Sequence, residues 1–307
     1  MRIAGVLALL AALAGAGCGV GAGEAPEAVR LTVTDGFGTR TLIEQPAPDV
    51  SGEDTVMRVL QRNAKVKTRY GGLFVEAIGR LSGGSEDGRP VDWFYYVNGV
   101  LADEGAAAVT VRPGDRIWWD RRDWSVAAAV PAVVGSFPEP FAHGVDGDRM
   151  PTRIECSQSV RDACDVVQDR FKKLGIVAGK ALKGTSEAGG KVLRVAVGTW
   201  DDVRGDPALR QIDRGPRVSG VYGRFDGDEL VVLDQRGREV RRLGPGTGLV
   251  AATRLDFGPP VWAVTGTDAA GVRAAARALD ESVLNEKFAL AISDALPVAL
   301  PAVRGAR

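Results

Sequence analysis

Seven aromatic side chains fall between Val91 and Trp124, in a chain where Phe, Trp and Tyr together make up only 6% of the residues. They are Trp93, Phe94, Tyr95, Tyr96, Trp118, Trp119 and Trp124, with Asn98 among them. Rings with one polar end suit recognition: they stack on flat or amphipathic partners and offer a hydrogen bond at the tip. Other chemistry is poorly supplied. His143 is the only histidine, and no serine lies in a G-x-S-x-G context, so neither a Ser-His-Asp site nor a histidine metal site is expected. Paired carboxylates leave no local mark, and the Asp and Glu residues are spread along the chain. The expectation is therefore a binding protein rather than an enzyme, without metal or cofactor, with those eight residues as the candidate ligand contacts.

The aromatics need strands to position them. Alternation along a strand sends Val91, Trp93, Tyr95 and Val97 to one face and Asp92, Phe94 and Tyr96 to the other, and separates Ile117 and Trp119 from Trp118 and Asp120. One face packs on a helix. The other must meet a second domain, a flat ligand or a protein partner, because a large apolar patch is not left in water. Around these strands the sequence predicts further runs at Val29–Thr34, Thr41–Glu44, Phe74–Ile78 and Val109–Val111. It also predicts a helix from Ser51, which with Asp54 forms a near capping box, and a tight Asn98-Gly99 hairpin. That is a small mixed sheet crossed by one helix, of the β-grasp kind.

The segments "WFYYVNG" and "VTVRPGDRIWWD" resemble the signature of the transcobalamin C-terminal-like domain family. Trp93, Tyr95, Val97, Asn98 and Gly99 occupy its motif positions, as do Gly114, Asp115 and Trp118 or Trp119. The resemblance covers Val29 to Trp124. It implies a β-grasp-like fold, a surface-anchored bacterial protein, and a cobalamin-like (corrinoid) ligand handed to a vitamin-uptake transporter. The helical barrel that completes the ligand site in the eukaryotic carriers has no counterpart in this sequence.

Residues 1–18 have the order of an export signal: Arg2, an apolar run from Ile3 to Leu13, then small residues. The run is too short to span a bilayer. "LAGAGC" resembles the bacterial lipobox, although Gly15 stands where Leu is usual, so lipidation is expected at Cys18 and residues 19–28 become a spacer. The expected location is the extracytoplasmic face of the cell membrane through a lipid anchor, with ordinary secretion as the alternative. Cys156 and Cys164 then form an even pair, best read as a disulfide in an oxidising compartment. Free thiols are the alternative, since zinc would need more ligands than the chain offers.

Beyond residue 124 the character changes. Residues 125–150, rich in Pro and Gly, read as a linker, residues 151–296 as an alternating α/β domain, and residues 297–307 as a tail. The fold class expected is α+β: a small β-grasp-like N-terminal domain followed by an α/β layered domain. In the latter, helices are expected over Ser157–Leu174, Asp206–Ile212 and Ala269–Asn285. "FDGDELVVLDQRG" reads as hairpin turns rather than a calcium loop, and Thr267 or Asp268 as a helix cap rather than a phosphate cradle. With 39 basic and 39 acidic residues, the chain carries no excess charge to attract nucleic acid. The functional expectation is a lipid-anchored protein that captures a ligand for a transporter, with a surface module binding a protein or cell-wall glycan as the alternative.

Overall fold

The computed structural model describes residues 25–182 and 191–303. Residues 1–18, expected as an export signal, and Cys18, the expected lipidation position, lie outside the described residues.

The first domain opens with β1 (Arg30–Asp35), whose alternating Leu31 and Val33 are buried, and β2 (Arg40–Gln45). Helix α1 (Val56–Asn63) follows and buries Val56, Met57, Val59 and Leu60 along one stripe. Its cap is Thr55, whose hydroxyl accepts from the Arg58 N–H at 3.4 Å, and not Ser51 as expected. Ser51 instead donates its own N–H to Asp54 Oδ2 at 2.8 Å, which closes a turn before the helix. Strands β3 (Val66–Arg69), β4 (Phe74–Ile78) and β5 (Leu81–Ser82) form a separate small sheet. Strands β6 (Gly84–Glu86), β7 (Arg89–Val97), β8 (Val100–Leu101) and β9 (Arg116–Asp123) complete the main one.

The order across that sheet is β2-β1-β9-β7-β6, with β8 beside β7. β1 and β9 run parallel, while the flanking pairs are antiparallel, giving the mixed sheet with one helix expected of a β-grasp-like domain. Asn98 and Gly99, with φ of 53° and 77°, make the tight turn from β7 to β8, a conformation that Asn and Gly tolerate best. The strand expected at Val109–Val111 is not formed: a single bridge joins Thr110 to Thr55, and the segment ties down the start of α1.

The second domain contains β10 (Thr152–Cys156), α2 (Arg161–Lys173), β11 (Ala178–Leu182), β12 (Leu193–Thr199), α3 (Trp200–Val203) and α4 (Pro216–Ser219). A three-stranded meander follows: β13 (Gly223–Asp226), β14 (Glu229–Leu233) and β15 (Glu239–Leu243), with the hairpin turns expected there. Then come β16 (Gly248–Thr253), β17 (Val261–Gly266), α5 (Ala269–Arg277), α6 (Glu281–Leu284), β18 (Ala289–Ser293) and β19 (Leu296–Leu300). The seven-stranded sheet has the order β11-β10-β12-β17-β16-β18-β19, with its first four strands parallel. Val195, Val197, Trp262 and Val264 point to the side of α2 and α5, while Ala196 and Ala263 point to the meander. Both faces are therefore covered, which is why these strands read as nearly continuous apolar runs.

Three expectations are corrected here. Residues expected as a helix over Asp206–Ile212 form a 3-10 turn at Leu209–Arg214, started by Asp206 accepting the Ala208 N–H at 2.9 Å. The helix expected through Asn285 is broken after α5, because Asp280 accepts from Ser282 N–H and starts α6. The residues read as a tail include β19, an edge strand that accommodates Pro297. At α5 the cap is Asp268, which also accepts the Gly246 N–H at 2.9 Å.

The segment 125–150 has neither helix nor strand of any length, yet it is not a loose connector. Ala127, Val130 and Val133 belong to the core under the meander, and Val134, Phe137 and Phe141 to the core under α2 and α5. No helix among the described residues is long and apolar enough to cross a membrane.

Cys156 and Cys164 form a disulfide, with Cα atoms 6.0 Å apart, tying the end of β10 to α2. Restriction of the unfolded chain by so short a loop is worth about 2–3 kcal/mol. Replacing both cysteines by serine is expected to lower the free energy of unfolding by about that amount in urea titrations. An unchanged midpoint would show that the bond does not form in solution.

Candidate functional site

The eight predicted contact residues do not form one surface. β7 and β9 pair so that Tyr95 lies opposite Trp119 and Tyr96 opposite Trp118, and the two pairs point to opposite sides of the sheet. Tyr96 and Trp118 are closed over by the second domain. Both meet Phe288, just before β18, edge-on with ring centres 5.8 and 5.1 Å away, and Phe288 in turn meets Phe37, from the β1–β2 turn, edge-on at 5.1 Å. Tyr222 packs on Phe37 at 5.1 Å. These residues make an interdomain core, and burial pushes the Tyr96 hydroxyl up to about 12. The Trp118 indole N–H donates to Thr34 Oγ1 at 2.8 Å, and the Thr34 hydroxyl donates to Asp120 Oδ1 at 2.6 Å. Of the three candidates for covering this face, the second domain is the one found, so Tyr96 and Trp118 are packing residues in this structure.

Asn98 is occupied too. Its side-chain amide donates to Asp115 Oδ1 at 2.9 Å and to the Gly144 carbonyl at 3.0 Å, and its oxygen accepts the Arg116 N–H at 2.9 Å. It locks the β7–β8 hairpin to β9 and to the connecting segment. Trp124 is half-buried and donates to Asp92 Oδ2 at 2.9 Å. His143, outside the predicted contacts, holds Glu139 at 2.6 Å through Nδ1.

The other four come together. Trp93, Phe94, Tyr95 and Trp119 line an apolar recess of about 200 Å³, completed by Met57 of α1, by Leu73, Phe74 and Val75 of the β3–β4 hairpin, and by Leu101–Ala102 and Gly105–Ala106. Tyr95 stacks on Trp119 with ring centres 4.8 Å apart and planes 27° off parallel. The Tyr95 hydroxyl donates to the Glu104 carbonyl at 2.6 Å, and burial raises its pKa well above the usual phenol value. The indole N–H groups of Trp93 and Trp119 are buried with no protein acceptor. Phe94 borders the recess, but alternation turns its ring to the opposite face of β7, where the Arg122 guanidinium lies 3.8 Å from the ring centre in a cation–π contact.

The recess has an apolar rim that the sequence reading missed. Tyr70 is 77% exposed, Leu73 66% and Phe74 39%, and the rings of Tyr70 and Phe74 meet edge-on at the hairpin tip. The signal was present in "RYGGLF", where the glycines make the turn and large apolar residues flank it, but a strand assignment for Phe74–Ile78 hides the exposed side of its first residue. Beyond Leu101 and Ala102 the recess adjoins a polar hollow of about 300 Å³ bearing Asp103, Glu104, Asp146, Arg112 and Arg254. Arg254 reaches across from the second domain to pair with Asp103.

Apolar walls and an adjoining charged hollow suit a ligand with a flat or apolar part and polar groups at its edge. The recess is lined by no histidine, cysteine, serine or carboxylate side chain, and Tyr95 is the one titratable group among its lining residues.

Residues 53–122 match the profile of a family described as a domain of unknown function (DUF4430). The match takes in α1, the β3–β4 hairpin and most of β9, and therefore every wall of the recess. No curated protein matches the chain.

Proposed function

We propose that this protein is a lipid-anchored extracytoplasmic binding protein that takes its ligand at the aromatic recess of the first domain and presents it to a membrane transporter. The observation that carries the reading is the meeting of Trp93, Phe94, Tyr95 and Trp119 with an exposed apolar hairpin tip at one recess. Exposed Leu and Tyr at such a tip cost solubility and gain a purpose only when something covers them. The Cys156–Cys164 disulfide supports an oxidising compartment.

The recess is too small to enclose a corrin ring. A corrinoid, the ligand implied by the resemblance to transcobalamin-like domains, would insert an edge or substituent there and lie against Tyr70, Leu73 and Phe74. The same tip also favours a second reading, a module that docks on a protein through these three residues.

Equilibrium dialysis of the soluble chain beginning at Gly19, with cyanocobalamin as probe, tests the reading. Saturable retention is expected, weakened at least about tenfold, or ~1.4 kcal/mol, by Leu73→Asp, a substitution at an exposed position that spares the core. No retention, or retention indifferent to Leu73→Asp, would rule out corrinoid capture at the recess.

A further inference from the structure

A larger cleft lies elsewhere, where the end of the first domain's sheet faces the β14–β15 turn and the segment after β19, with a volume of about 440 Å³. Five arginines line it: Arg89, Arg121 and Arg122 from the first domain, Arg236 and Arg238 from the second. Its carboxylates are already engaged. Asp123 holds Arg89, Asp35 and Glu86 hold Arg121, and Asp234 holds Arg238 at 2.8 Å.

Two guanidiniums remain without a carboxylate. Arg236, on the exposed turn, makes no ion pair among the described residues. The turn that presents it is rigid, since Asp234 Oδ1 accepts both the Arg236 and the Arg238 N–H, at 2.9 and 3.0 Å. Arg122 is 1% exposed, and its Nη1 donates to the Ala127 carbonyl at 3.0 Å while Nε and Nη2 have no partner. The nearest acid on its strand face, Asp120, gives its oxygens to Thr34, Phe37 and Gly38 instead. The guanidinium rests on the Phe94 ring, 3.8 Å from its centre, but a buried guanidinium with no counter-charge and two nitrogens unpartnered is costly, and its field is weakly screened.

From the two unpaired guanidiniums at one interdomain cleft we infer that this cleft is a binding site for a small oxyanion, a phosphate- or carboxylate-bearing molecule. Arg236 makes the direct contact, with planar N–H pairs that match both groups. Arg122 supplies positive potential from the cleft floor. The site is separate from the aromatic recess and stands whether or not the recess binds a corrinoid.

Calorimetric titration of the soluble chain from Gly19 with inorganic phosphate and, in a second arm, with succinate, both at constant ionic strength in chloride, tests this. Saturable binding of at least one anion is expected, weakened tenfold or more by Arg236→Glu, whose exposed position leaves folding intact, and unchanged by Leu73→Asp. The arm that binds identifies the headgroup. No saturable binding in either arm, or binding untouched by Arg236→Glu, would overturn the assignment.

Discussion

Replacing Trp118 by alanine is expected to cost about 3–5 kcal/mol of folding stability, read as a lower urea midpoint for the whole chain, with little direct effect at the recess. The reason is position. Trp118 is 3% exposed, meets Tyr96 and Phe288, donates to Thr34, and lies against Gly135, where an added Cβ would come within 2.7 Å of the indole. The cavity left by alanine would open in the seam between the two domains, where Arg30, Arg116 and Thr41 also reach Glu281 and Glu286. A loss below about 1 kcal/mol would mean that the domains are not docked in solution as they are here.

The second large effect is a dependence on pH through Asp120. Its carboxyl is fully buried, and burial, the dominant influence, raises its pKa from 3.8 to about 6 against the opposing hydrogen bonds from Thr34 and from the amides of Gly38 and Phe37. The folded state therefore holds a proton that the unfolded chain has released between about pH 4 and pH 6. The associated stability is complete below about pH 4 and lost as pH rises through 6, by about 3 kcal/mol for a shift of this size. In Asp120→Asn that dependence disappears. The stability of the wild type relative to the variant should accordingly fall by about 3 kcal/mol from pH 4 to pH 8 in paired urea titrations, and a constant difference would show that the carboxyl titrates normally. The group matters to the architecture because its oxygens hold the turn that carries Phe37 into the interdomain core.

The sequence was legible where periodicity and turn chemistry act locally. Alternation in β7 and β9 separated the two aromatic faces correctly, Asn98-Gly99 made its hairpin, and β1, β2 and β4 lie where their apolar runs put them. It was less legible where choice depends on distant residues. Which aromatic face would be covered, and by what, was decided by Phe288, more than a hundred residues beyond the strands it meets, and by Tyr222, which packs on Phe37 of the β1–β2 turn. The Pro- and Gly-rich stretch after Trp124 lacks any period, so its burial between two cores left no pattern to read. A third of the residues lining the candidate site followed from the aromatic strands. The rest depended on a hairpin tip brought alongside by α1 and on a loop, Leu101–Ala106, with no marked composition beyond small residues.

Location of the ligand is the central claim, and hydrogen exchange of the chain with and without saturating cyanocobalamin tests it most directly. Protection is predicted at Tyr70–Phe74 and Leu101–Ala106, with the amides around Tyr222 and Phe288 unchanged, because the interdomain core is closed before ligand arrives. Protection confined to the seam between the domains, or none at the hairpin tip, would contradict capture at the recess.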